Sequence, residues 1–178
     1  MEIRDARTQD SATVTKSGEL VTRAVALTEL QRSSLLGSAY SWDSLEKDID
    51  TGDTMLFVKN IGDSPLVIDS ITINGSNVIC TWTILTGSLT TTPAGTLVAG
   101  ANLNRSFSSI VPDALAYADE TALADGTILS RVKTGVSTTL PYPTPGIILG
   151  KNQYIQINQI TESTSGSVIV FGHFTAPE

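Results

Sequence analysis

Residues 66–85 read LVIDSITINGSNVICTWTIL, and this stretch decides the fold class. Leu66 to Ile73 is dense in β-branched residues and is entered through a turn signal, Gly62-Asp63-Ser64-Pro65. Val78 to Leu85 alternates with the period of a strand. Val78, Cys80, Trp82 and Ile84 fall on one face, and Ile79, Thr81, Thr83 and Leu85 on the other. Asn74-Gly75 between the two runs offers residues that tolerate positive φ, as a type I′ turn requires. The spacing predicts a hairpin pairing Leu66–Ile73 with Val78–Leu85.

The same grammar extends along the chain. Upstream, Leu20 to Leu27 follows Ser17-Gly18, and Thr54 to Lys59 follows Asp50-Thr51-Gly52-Asp53 as a buried strand. Downstream come a weak strand at Thr96 to Val98, then Thr127 to Lys133, Ile147 to Leu149, Gln153 to Ile160 and Ser167 to Phe174. Pro141, Pro143 and Pro145 hold their segment extended and free of helix. Ser167–Phe174 (SVIVFGHF) is apolar on both faces, as in a strand covered from both sides. Asp113 to Ala124 is predicted as a short helix with Ala114, Leu115, Ala118 and Ala122 along one side. Leu27 to Leu36 is read as strand or irregular structure, although Thr28 is placed to cap a helical turn. Short strands punctuated by Gly, Pro, Asn and Asp predict an all-β chain: an antiparallel β-sandwich of jelly-roll type. Residues 1–14, polar and of mixed charge, are expected to form an extended arm, with 15–178 as a single β domain.

Composition narrows the chemistry. The 178 residues carry 11 Lys and Arg against 18 Asp and Glu, a net charge of −7, which argues against a nucleic-acid partner. Lone Cys80 and lone His173 leave neither a disulfide framework nor a His-based zinc site, and no cofactor is expected. No apolar run approaches the ~18 residues of a membrane span, and the first twenty residues lack the apolar core of a secretory signal. Gly146-Ile147-Ile148-Leu149-Gly150-Lys151 has three residues between its glycines where a phosphate loop has four, and its interior wants burial; it reads as strand plus turn. The carboxylates Asp113, Asp119, Glu120 and Asp125, and the group Asp48, Asp50 and Asp53, match no calcium-loop spacing and read as solvated faces. No G-x-S-x-G elbow accompanies His173, so no catalytic residue is assigned and the chain is read as non-enzymatic. The Asn74-Gly75-Ser76 and Asn104-Arg105-Ser106 triplets carry no weight without a secretory signal. Among the aromatics, Trp82 is expected in the core. Trp42, Tyr40, Tyr117, Tyr142 and Tyr154 are dispersed, with Tyr142 in LPYPTPG the most exposed and a contact candidate.

Taken together, Gly18-Glu19-Leu20-Val21-Thr22, LFVKNIGDSPLVIDSITI, Gly100 to Ser106, Asp119-Glu120, IILGKNQYIQI and VIVFGHF give a pattern over roughly residues 15–174. The chain resembles small β-rich virion proteins of tailed bacteriophages, of the capsid decoration or cement type. The resemblance implies a jelly-roll homotrimer, made in the host cytoplasm, that binds the major capsid protein on the outer surface of the head without catalysis. The sequence alternative is a carbohydrate-binding domain of a tail or fibre, using Tyr142 or Trp42. Contact candidates, to capsid or to neighbouring subunits, are Arg4, Arg7 and Lys16 from the arm, with Tyr142, Phe171 and His173 from the β domain.

Overall fold

A computed structural model describes residues 2–4, 11–14, 20–23, 27–75, 78–88, 95–120, 126–161 and 164–175. Three N-terminal strands, β1 (Glu2–Arg4), β2 (Ser11–Val14) and β3 (Leu20–Arg23), form an antiparallel sheet of their own. That sheet crosses the expected boundary between arm and domain, because Val14 of β2 pairs with Leu20 of β3.

Helix α1 (Glu29–Leu35) follows, where strand or irregular structure was expected. The cap explains the difference. Thr28 Oγ1 accepts from Gln31 N at 3.2 Å while Gln31 Oε1 accepts from Thr28 N at 2.9 Å, satisfying two N–H groups that a helix start leaves orphaned. The remaining elements are β4 (Ala39–Asp43), β5 (Lys47–Ile49), β6 (Thr54–Asn60), β7 (Leu66–Asn74), β8 (Cys80–Ser88), β9 (Thr96–Val98) and β10 (Ala101–Asn102). A 3₁₀ turn at Arg105–Phe107 leads to β11 (Ala114–Glu120), β12 (Thr127–Thr134), β13 (Thr139–Leu149), β14 (Gln153–Gln159) and β15 (Thr164–Phe174).

Two antiparallel sheets make the body. The first runs β10-β4-β15-β7-β13, with β5 paired to β15, and the second runs β12-β8-β14-β6-β11-β9. Their inner faces meet in one core. Trp42, Ile68, Ile71, Ile73, Val168 and Val170 come from the first sheet, and Leu56, Val58, Trp82, Ile84, Ile155 and Ile157 from the second, all fully buried. The fold is thus β-sandwich-like, as the period-two patterning requires.

The expected hairpin does not form. β7 lies between β15 and β13, whereas β8 lies between β12 and β14 in the other sheet. The apolar faces of the two strands are stacked across the core instead of continuing side by side. Alternation says which face a strand buries, not which strand lies beside it. Gly75 has no left-handed φ; it is wanted because a Cβ there would come within 2.6 Å of Thr134 Oγ1 and 2.9 Å of the Gly135 carbonyl.

The helix expected at Asp113–Ala124 is also replaced, by β11, which pairs with β6 from Ala114↔Asn60 to Ala118↔Leu56. Ala114, Ala116 and Ala118 are buried on alternate positions, so pairing with a buried strand overrides alanine's helical preference. Two further features shape the first sheet. Register slips between Phe171 and Gly172 against β7, and between Pro143 and Ile147 against β7, place bulges on both sides of Asp69. Pro141 and Pro143 lie two apart on β13, the last strand of that sheet, so both nitrogens fall on the side away from β7 and no N–H is offered there at those positions.

Candidate interaction surface

Among the described contact candidates, Tyr142 does not share a face with Phe171 and His173. Arg4 lies in β1, and Arg7 and Lys16 fall outside the described residues. Tyr142 is opposite Ile71 and is half-buried, packed against the core, and so less exposed than expected. The reason is register: β13 carries Tyr142 between Pro141 and Pro143, and alternation sends the prolines outward and the ring inward. Phe171 and His173 do share a face, the outward side of the first sheet. Phe171 is half-buried beside Ser41 and Ser70, and His173 is buried. His173 Nδ1 lies 2.8 Å from Asp69 Oδ2, and the bulge at Asp69 is what brings the carboxylate there.

The remaining sequence signals resolve without chemistry. Ile147 to Leu149 end β13, Gly150-Lys151-Asn152 turn the chain, and Lys151 Nζ reaches Asp63 Oδ1 at 2.7 Å on the surface. That bond, and the charge behind it, hold the Asp63 carboxyl below its ordinary range. Cys80 is buried, with Gln159 Nε2 at 3.8 Å from its sulfur. Asp113 and Asp119 flank and join a strand, not a helix, and Asp125 lies outside the described residues. Among the described residues no three His, Cys, Asp or Glu side chains gather as metal ligands. Asn74 spends its side chain inside the first sheet, donating to Ser167 Oγ at 2.8 Å and accepting from Thr139 Oγ1 at 2.7 Å. Trp42, Trp82, Tyr40 and Tyr154 are buried, and Tyr117 and Tyr142 are half-buried. No Trp or Tyr ring is therefore exposed as a sugar platform.

The surface that stands out was not singled out in the sequence. Leu35 and Leu36 close α1 at 58% and 72% exposure, and Val111 stands 81% exposed near the 3₁₀ turn. Leu27, Phe107 and Ile110 are exposed beside them. Three contacts tie α1 to residues 103–107. Gly37, with φ +74°, lies so close under Phe107 that a Cβ would be 2.7 Å from the ring. Asn104 Nδ2 donates to the Leu35 carbonyl at 3.1 Å, and Leu103 lines a groove of about 380 Å³ with Leu27, Leu30, Gln31, Ser34 and Leu35.

Asn102 holds this surface from below. Buried, it donates from Nδ2 to the Gly37 carbonyl at 2.7 Å and accepts on Oδ1 from Asn104 N at 2.9 Å. It also hydrogen-bonds Tyr40, whose hydroxyl is pushed above its ordinary pKa chiefly by burial, with the Asn102 bond pulling the other way and the Asp113 charge adding to the rise. What the arrangement offers is packing and shape. Among the described residues the groove's polar side chains are Gln31 and Ser34, and no charged side chain lines it.

No protein-family model matches the chain, and no curated protein matches it significantly.

Proposed function

We propose that this chain is a virion structural protein of the capsid decoration type, held without catalysis on the outer surface of a tailed-phage head as a homotrimer. The observation that carries the reading is the strand order. Let β4, β6, β7, β8, β12, β13, β14 and β15 be numbered one to eight along the chain; one sheet then runs one-eight-three-six and the other two-seven-four-five. That order supports a jelly-roll reading, with β11 added beyond strand two, an architecture that serves viral shells and lectins alike. The burial of both Trp rings, with Tyr40 and Tyr154 buried and Tyr117 and Tyr142 half-buried, favours the shell reading over the sugar reading. An acidic exterior at net −7 suits the outside of a head, away from packaged nucleic acid.

The test is co-sedimentation of the purified chain with heads of the phage that encodes it, prepared without it. Saturable binding that raises the temperature at which the heads rupture is expected. Absence of binding to heads, together with saturable glycan-array binding, would overturn the proposal in favour of adhesion.

A further inference from the structure

We infer that the α1 face is a self-association site, on which the exposed Ile110-Val111 of one copy seats in the Leu27–Leu30–Leu35–Leu103 groove of the next. The inference rests on the oligomeric part of the proposal above and gives it a location. Three observations select a second copy as the occupant.

The first is charge. From Ser33 to Trp42 and from Ser106 to Pro112 the chain has no charged residue, and the side chains bounding those runs are Arg32, Asp43, Arg105 and Asp113, two of each sign. The molecule as a whole carries −7, so two copies repel least where a neutral patch meets a neutral patch. A strongly acidic or basic partner would be matched by a charged surface instead.

The second is area. Leu27, Leu35, Leu36, Phe107, Ile110 and Val111 at their exposures leave roughly 600 Å² of apolar surface, the upper range for a monomer and most of the ~800 Å² each partner gives a standard interface. The charge-free centre matches the depletion of charge found in interface cores.

The third is shape. The patch has two unlike halves: a groove of about 380 Å³ along α1, and a knob at 110–111 carried by the segment between the 3₁₀ turn and β11. A knob can meet a groove reciprocally about a two-fold axis or head to tail, and the head-to-tail contact, which closes into a ring when the rotation allows, is the one the homotrimer reading requires. The outward face of β15, which carries the contact candidates Phe171 and His173, has less to offer, because Ile169 and Phe171 are already half-buried within their own chain.

The experiment uses the full chain without capsids. Sedimentation at tens of micromolar should show a closed oligomer, and Val111→Lys should give a folded monomer that melts cooperatively at a temperature independent of its concentration. In a Cys80→Ala background, Ser34→Cys and Val111→Cys should each fail to cross-link alone and should give a covalent dimer when mixed under oxidation. A monomeric wild type, an oligomer that survives Val111→Lys, or a mixture that does not cross-link would each overturn the inference. A monomer that still binds heads would sink this contact and leave the decoration reading standing. An intact oligomer that ignores heads would do the reverse.

Discussion

Two apolar regions of this molecule have opposite fates. Between the sheets, Trp82, Ile84, Ile71 and Val170 are sealed from water, while at the α1 face Leu35, Leu36 and Val111 lie open to it. The side chains are of the same kind; what differs is the backbone beneath them. Strands place apolar groups at alternate positions, and a second sheet covers them. A seven-residue helix and a 3₁₀ turn present theirs with nothing above. Burial in the first region stabilises the chain, whereas burial in the second requires a partner.

The sharpest way to test the closed region is Trp82→Ala. The indole is fully buried and its Nε1 donates to Thr134 Oγ1 at 3.0 Å, so truncation should cost about 3–5 kcal/mol in denaturant melts. Asn102→Ala probes the support under the open region. It leaves the buried Gly37 carbonyl without its donor and should cost about 1–3 kcal/mol. The same variant should raise the Tyr40 pKa further in an alkaline absorbance titration, since the lost bond is the one that lowers it.

Leu36→Ser belongs at the other extreme. At 72% exposure it should move stability by no more than about 0.5 kcal/mol while weakening self-association. Lys151→Met is the smallest of all. Asp63 has a lowered pKa in the folded chain, so its contribution is present above the unfolded carboxylate pKa and is lost as pH falls through the folded one. Removing Lys151 should return Asp63 to the ordinary range in an NMR titration, with melting at neutral pH hardly changed because the pair is exposed.

The sequence was most legible where a residue's own neighbours determine its state. Cys80, Trp82 and Ile84 share a buried face as their alternation predicts, and Gly146 to Lys151 is strand and turn. Legibility failed where the answer lay in a distant segment. Asn74-Gly75 looks like a hairpin turn because the decisive contact, Gly75 N donating to Thr138 O at 2.8 Å, is sixty-odd positions away. Ala114 to Ala118 looks helical until β6 is placed beside it. The helix at Glu29–Leu35 was discounted despite its Thr28 and Gln31, the T-x-x-Q signature of a capping box, which was present in the sequence to be used. The apolar surface was harder still. Leu35 and Val111 are 76 positions apart, and their segments meet through long-range contacts such as Gly37 under Phe107 and Asn104 on the Leu35 carbonyl.

The place of β15 has a consequence for how the chain is made. This strand spans residues 164–174, yet it lies inside the first sheet with β4 on one side and β7 on the other, pairing Gly172 with both Tyr40 and Ile68. During synthesis β4 and β7 emerge long before their shared neighbour, and their inner edges wait unpaired on the ribosome. Closing loops of such length puts the chain among slow-folding, high-contact-order topologies. The same delay works in reverse. To unfold, the finished sheet must release its central strand from both sides at once, and a barrier of that kind confers longevity on a protein once it is in place.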